Sequence, residues 1–271
     1  MNKIKSERVG LDSNKLKSMD LFFKDKYLNT GKLAGIQTLI SRKGKIVHFN
    51  SIGKSDVEKS KNIKSDTIFR IYSMTKPITS VALMQLHEQG LFQLADPVGK
   101  FLPEFKNSKV FLQGSFPNFL TTPAKRDMTV RDLLSHTSGL TYGFHYQTNI
   151  DHAYRKVWAG SKEEESDFNM PPMDLKTFSE TIAKIPLEFS PGDRWNYSVS
   201  TDICGRLIEV LSGLSLQEYF KKYIFKPLEM IDTDFYVPAN KLSRFAACYE
   251  RTPKTYLKSV SYTHLTLPTT Y

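Results

Sequence analysis

Ile71-Tyr72-Ser73-Met74-Thr75-Lys76-Pro77 marks a change of period in the chain. Upstream, residues 67–72 are short, aromatic and β-branched, which predicts a strand. Downstream, Ile78, Val81, Ala82, Met84 and Leu86 lead to Gly90 and predict a mostly apolar, buried helix. Proline is tolerated only in a helix's first turn, where the N–H groups have no helical partner. Pro77 therefore sets the start of that helix at about Ser73. A hydroxyl then stands at a helix N-terminus, where the dipole favours developing negative charge. Lys76 follows three residues later, on the same face and one turn inward. Hydroxyl, ammonium and helix N-terminus are the parts of an activated serine nucleophile. The same spacing also suits an N-cap serine beside a solvated lysine, so other residues must decide. Ser51-Ile52-Gly53-Lys54 repeats the spacing but has a glycine inside it and charged residues after it, and it lacks the helix.

The composition is that of an ordinary globular chain: 271 residues, 40% hydrophobic. That length accommodates one large domain, or a main domain with a subdomain. The formal net charge of +10 is spread along the chain, with no basic block interleaved with aromatics. A generally basic surface is expected rather than a nucleic-acid groove. No apolar run approaches the ~18 residues of a membrane span, and Met1 to Glu7 leads to no apolar leader segment. Cys204 and Cys248 form no metal pattern, and Cys204 sits on an apolar helical face as a core residue. A reduced, cytoplasmic setting is expected.

Taken in order, Asp12 or Ser13 caps a helix to about Tyr27, with Leu16, Met19, Leu21, Phe22 and Phe23 on its apolar side. Residues 34–41 and 46–52 read as strands joined in a hairpin at Arg42-Lys43-Gly44-Lys45. Residues 107–126, rich in Phe, Pro and Thr without a clear period, read as loop. Thr129 caps a short helix to His136. Residues 142–172 are aromatic, then acidic at Glu163-Glu164-Glu165, then Met-Pro-Pro-Met, and read as an insertion or small helical subdomain bordering a cleft. Asp174 caps a helix to about Lys184. Ser190-Pro191-Gly192-Asp193 is a turn. Two more helices span 201–211 and 216–225.

Three segments occur together: Ser73-Met-Thr-Lys76-Pro77, Ser135-His-Thr-Ser-Gly-Leu140, and Pro186-Leu-Glu-Phe-Ser-Pro-Gly-Asp-Arg-Trp-Asn-Tyr-Ser198. In this order they resemble the serine β-lactamase-like family of penicillin-recognising enzymes, and most of all class C β-lactamases and family VIII carboxylesterases. Asp96-Pro97-Val98 and residues 226–235 fit the same pattern. The resemblance runs from about Val9 to Arg251. It implies a mixed α/β (α+β) fold of the β-lactamase/transpeptidase type: an antiparallel sheet flanked by helices, a helical subdomain, and Ser73 at their junction. By the same resemblance Ser73 is the acylated nucleophile, Lys76 holds its proton network, and Tyr197 is the general base. Ser-x-x-Lys is a known signature of such enzymes. A tyrosine, with a reference pKa near ~10, needs a nearby cation to serve near neutral pH, and Lys76 would supply it. His136 is read as part of a structural helix end rather than as the base of a conventional triad.

Two departures from the family pattern bear on the reading. Val199 stands where class C β-lactamases usually carry asparagine, which points to esters ahead of β-lactams. The family's third motif is absent, since Lys254-Thr255-Tyr256 is only a partial match. The segment Val260-Ser-Tyr-Thr-His-Leu-Thr-Leu-Pro-Thr269 resembles a translated sequencing adapter. Residues 1–259 are therefore expected to form an incomplete hydrolase domain that lacks its late sheet strands, and 260–271 an artefactual tail. The expected activity is hydrolysis of a small-molecule ester or amide through an acyl-enzyme. Short-chain esters are the foremost substrates, with a β-lactam or D-amino-acid peptide as the alternative. A non-catalytic binding or sensor protein on the same scaffold is the rival from another class. No metal or organic cofactor, nucleic acid or membrane partner is implied.

Overall fold

Aspartate 12 opens the first helix, its carboxylate accepting the backbone N–H groups of Asn14 and Lys15. The computed structural model describes residues 3–159, 173–252 and 257–259. In chain order the regular elements are helix α1 (Ser13–Phe23), strands β1 (Gly35–Arg42), β2 (Lys45–Asp56) and β3 (Lys61–Asn62), and helix α2 (Thr75–Glu88). Strands β4 (Lys109–Ser115) and β5 (Asn118–Pro123) follow, then helices α3 (Val130–Leu134), α4 (Asn149–Ala159), α5 (Leu175–Ile182), α6 (Ser200–Ser212) and α7 (Leu216–Phe220). The short strands β6 (Tyr249–Glu250) and β7 (Lys258–Ser259) come last. These helices and antiparallel strands make a mixed α/β fold of the expected class. No described helix is long and apolar enough to cross a membrane.

The elements fall into two units. The first is built from the residues before Ile71 and from the segment beginning at Tyr236. Its sheet has the order β1-β2-β3, all antiparallel. The hairpin joining β1 to β2 is the predicted one: Arg42 pairs with Lys45, while Lys43 and Gly44 both take positive φ, 52° and 68°. Such a two-residue turn matches the strands' own right-handed twist. Ser51 and Lys54 lie within β2, and Lys54 Nζ donates to Asn62 Oδ1 and the Ser60 carbonyl, which removes this second Ser-x-x-Lys from contention. The strand expected at 67–72 reduces to one parallel bridge, Ile68 to Phe245. The apolar side of α1 is covered only in part: Leu16, Met19 and Phe23 are half-buried, Leu21 and Phe22 are about half exposed, and the rings of Phe22, Phe23 and Tyr27 pack on one another.

The second unit is Ile71–Phe235 and holds the large apolar core. Helices α2 and α6 pack together. Ala82, Leu83 and Leu86 of α2 and Ile203, Leu207 and Ile208 of α6 are almost wholly buried in that core. Gly213, with φ 70°, ends α6 in the left-handed conformation that glycine adopts freely. The turn before α7 is a reciprocal cap between Ser215 and Glu218. Residues 107–126 are not loop but the β4–β5 hairpin. Its pattern misleads because apolar residues such as Leu112 and Leu120 stay exposed, so burial does not alternate along it. Of the predicted helical insertion, the described part is one turn at Gly143–His145 and α4. Glu163-Glu164-Glu165 and Lys254-Thr255-Tyr256 lie outside the described residues, as do residues 260–271.

One buried carboxylate fixes the turn that follows α3. Asp132 accepts two hydrogen bonds from the Arg126 guanidinium, at 2.6 and 2.8 Å. It also accepts the Thr129 N–H and hydroxyl and the Thr137 hydroxyl. Burial alone would raise its pKa, but these donors outweigh burial and bring it down to about 2. A carboxylate depressed in the folded state stabilises the fold above its ordinary value, and the contribution is lost as pH falls through the folded value. We expect Asp132→Ala to cost about 2–4 kcal/mol, since it leaves a guanidinium and several donors without their acceptor. Urea melts at pH 7 check this. The gap from wild type should narrow in melts taken below the ordinary carboxylate value of 3.8.

Candidate active site

Ser73 lies in a single 3-10 turn, Tyr72–Met74, that runs directly into α2. The residue before it, Tyr72, has φ 43°. Tyrosine rarely adopts this conformation, and such strain collects at functional turns. Pro77 is the third residue of α2, within the first turn as its missing N–H requires. Lys76 therefore projects alongside Ser73.

The other half of the site comes from the segment before α6. Gly192 N, Asn196 N and Val199 N donate to the carbonyls of Thr137, His136 and Thr141, and Glu188 N donates to Gly139 O. These four backbone bonds lace residues 188–199 to residues 136–141. Gly139 sits inside this lattice with φ 87°, and a Cβ there would stand 2.3 Å from the Phe189 carbonyl oxygen. Only glycine fits. The lattice delivers Tyr197 to Ser73: Ser73 Oγ and Tyr197 Oη are hydrogen-bonded at 2.6 Å.

Lys76 Nζ is 3.5 Å from Ser73 Oγ and donates to Tyr142 Oη at 3.1 Å. It also lies over the Tyr197 ring, 4.6 Å from its centroid, and 5.5 Å from that of Tyr142. Ser73, Lys76 and Tyr197 are thus brought together. Tyr142 is a member that sequence reasoning missed. It is largely buried and stacks on Phe144 at 4.6 Å. Its only sequence signal is its place two residues after Ser135-His-Thr-Ser-Gly-Leu140.

His136 packs its ring on Tyr197, 5.1 Å between centroids, and its Nδ1 is hydrogen-bonded to Ser198 Oγ at 3.2 Å. Burial, helped by the charge of Lys76, pushes its pKa down to about 4. It is therefore a neutral ring near pH 7. Behind it runs a buried hydroxyl chain: Ser198 Oγ to Ser200 Oγ at 2.8 Å, then to Ser138 Oγ at 2.7 Å. In the first turn of α6, buried Asp202 has a carboxyl pushed up to about 7 by burial, an effect that Lys76 opposes. Cys204 is buried in the core, and burial pushes its thiol up, as expected of an inert core cysteine. Val199 is wholly buried, and the nearby amide of Asn196 is spent on the Leu140 carbonyl.

Trp195, 64% exposed, lies nearly parallel to Tyr197, with centroids 6.4 Å apart. Phe144 is exposed on the Tyr142 side. The arrangement is chemically a serine hydroxyl with a phenol as proton partner, one ammonium beside both, and aromatic rings next to them.

The β-lactamase family model matches residues 23–267. The esterase EstB of Burkholderia gladioli is 32% identical over 225 residues, covering 83% of this chain and 52% of that protein. The lovastatin esterase of Penicillium rubens is 30% identical over 216 residues, covering 77% of this chain and 50% of that one. Among solved structures, EstCE1, a hydrolase with promiscuous acyltransferase activity, superposes with a TM-score of 0.74 at 25% identity, covering 91% of this chain and 59% of that chain. The chain spans about half the length of the curated relatives it matches. With the match running through both the Ser73 turn and the Tyr197 segment, the chain belongs to the β-lactamase family.

Proposed function

We propose that the whole protein is a serine hydrolase acting through an acyl-enzyme on Ser73, with short-chain esters as its substrates. The observation that carries this is the 2.6 Å contact between Ser73 Oγ and Tyr197 Oη beside the Lys76 ammonium. Serine is a weak nucleophile until a base takes its proton. Tyr197 Oη is placed to take it as Ser73 Oγ attacks the ester carbonyl carbon. The Lys76 charge stabilises the negative charge that moves between the two oxygens. The tetrahedral intermediate collapses, the alkoxide leaves, and Tyr197 returns the proton to it. Water then repeats the sequence on the acyl-enzyme, releasing acid and restoring Ser73. Tyr142 holds Lys76 in place from the far side, and His136, neutral and bonded to Ser198, braces the Tyr197 ring.

Esters are proposed ahead of β-lactams and D-amino-acid peptides because the position that could carry a binding amide is the buried Val199. A second reading, acyl transfer to an alcohol in place of water, is favoured by the exposed rings of Trp195 and Phe144 beside Ser73's partners. Such rings offer an apolar acceptor a dry surface. EstCE1 carries that activity as well as hydrolysis. We place the protein in the cytoplasm on its sparse cysteine use, and take residues 1–259 as part of the hydrolase domain with 260–271 outside it.

Ser73→Ala in the whole protein should abolish ester turnover, and a fluorophosphonate should label Ser73 in wild type. Tyr197→Phe removes only the hydroxyl and should lower kcat by at least ~10²-fold, the scale of a positioned acid–base group. Unchanged turnover in Ser73→Ala would overturn the assignment. Absence of both labelling and turnover would favour the binding-protein rival.

Substrate class is read by kcat/KM for p-nitrophenyl butyrate against a chromogenic cephalosporin. The ester should be the better substrate, and a preference for the cephalosporin would remove the argument from Val199.

Activity is proposed for the whole protein rather than for residues 1–271. We expect this chain to turn over ester about 10²-fold or more slowly than a version extended to its relatives' length, the usual cost of losing one oxyanion donor. Equal rates in side-by-side assays would show that residues 1–271 already hold the complete oxyanion site.

A further inference from the structure

Three serine side chains that take no part in the proposed proton transfers stand behind His136, and all three are wholly buried. Ser138 lies four residues before Tyr142, Ser198 follows Tyr197, and Ser200 opens α6. Ser138 Oγ is 2.7 Å from Ser200 Oγ, and Ser200 Oγ is 2.8 Å from Ser198 Oγ. Ser198 Oγ is in turn 3.2 Å from His136 Nδ1. Two backbone groups feed the row: the Leu140 N–H donates to Ser138 Oγ at 3.2 Å and the Ser200 N–H to Ser198 Oγ at 3.4 Å.

Each hydroxyl has one proton to give, and counting those protons gives the row a direction. Among the described residues Ser138 Oγ meets one acceptor, Ser200 Oγ, because its other partner is an N–H. The Ser138 proton therefore goes to Ser200. Ser200 gives its own to Ser198, and Ser198 gives its own to His136 Nδ1. Run the other way, the row would strand the Ser138 proton in the interior, which buried hydroxyls avoid. A ring nitrogen that accepts carries no proton, so a neutral His136 holds its proton on Nε2. We propose that Ser138, Ser200 and Ser198 form a one-way donor chain that locks His136 as the Nε2–H tautomer, and that the locked ring is the positioning device for Tyr197. The ring so held lies against that of Tyr197, 5.1 Å between centroids and tilted 53°. The same chain grips Ser198, the residue next to Tyr197, so it fixes the phenol both from its neighbour in sequence and from its face. An imidazolium would need a proton on Nδ1 and would reverse the row. The chain therefore opposes charge on His136, in the same direction as burial and the Lys76 charge. The titratable group against the ring is Tyr197 itself. The positioning role rests on the reading of Tyr197 given above, whereas the tautomer does not.

Long-range 1H–15N NMR of the whole protein, labelled with 15N-histidine, reads the tautomer directly. His136 is the signal that disappears in His136→Asn or moves in Ser198→Cys; asparagine suits the backbone there, where φ is 57°. The expected result near pH 7 is a neutral ring with its proton on Nε2. An Nδ1–H tautomer or an imidazolium would overturn the lock. Ser198→Ala removes the donor to Nδ1, and the pKa of His136 should rise by about 0.5–1 above the wild-type value, the worth of one hydrogen bond. An unmoved or lowered value would also overturn the lock. Positioning is read by separating kcat from KM for ester hydrolysis. Ser198→Ala should lower kcat about 10-fold and leave KM within about two-fold, because a chain that aims the base acts on the transition state rather than on substrate binding. Ser198→Cys keeps a weak donor and should fall between. An unchanged kcat, or a loss confined to KM, would overturn the positioning role. If Ser198→Ala does not fold, Ser198→Cys carries both comparisons. Because NMR reads the tautomer without turnover, a protein that hydrolyses no ester would sink the proposed function and the positioning role with it, and leave the lock standing.

Discussion

The hydrogen bond between Ser73 Oγ and Tyr197 Oη joins residues 124 apart in sequence, and much of the second unit is arranged to hold it at 2.6 Å. One end is fixed by the entry into α2, where Tyr72 takes a strained conformation and Pro77 limits how far the helix extends back. The other is fixed by backbone bonds from residues 188–199 to residues 136–141. Neither end sits on a long strand or in mid-helix. Each is a turn held by obligatory backbone pairing, where a displacement of an ångström would leave buried polar groups unpaired.

Around that bond the polar groups are managed so that Lys76 has few rivals. His136 is kept neutral by burial and by Lys76 itself. Asp202, buried in α6, is pushed up to about 7, and the Lys76 charge is what opposes the shift. The faces of Tyr142 and Tyr197 meet the ammonium with rings rather than with a carboxylate. A carboxylate in direct contact would neutralise the charge that the chemistry needs. Aromatic rings attract a cation by about 0.5–2 kcal/mol and leave its charge available.

What was legible in the sequence was whatever rests on local chemistry. The Lys43-Gly44 hairpin, the caps at Asp12, Thr129 and Asp174, the Gly213 stop and the helical entry at Ser73 each follow from a few adjacent residues. Ser73, Lys76 and Tyr197 were legible together only through a resemblance, because nothing local says that position 197 meets position 73. The β4–β5 hairpin escaped because its apolar residues face outward as often as inward. Tyr142 escaped because its partner Lys76 lies 66 residues away, and one tyrosine among 13 carries no local mark. The link of Asp151 to Glu188 through Thr148 escaped for the same reason. Each acid alone reads as a surface residue, and only the fold shows that both are buried.

That last pair changes how the loop between the two phenols is understood. A loop that must place a tyrosine against a cation needs rigidity, yet Phe144 and Tyr146 beside it are exposed. Apolar packing from outside therefore does not supply it. The interior does so through polar contacts: Thr141 and Thr148 on Asp151, Thr148 on Glu188, and the Arg155 guanidinium donating to the Gly143 carbonyl. Buried polar networks are costly when incomplete and specific when complete. The loop's rigidity is therefore tied to two buried acids that touch neither Ser73 nor Lys76, acting through Thr141 and Thr148.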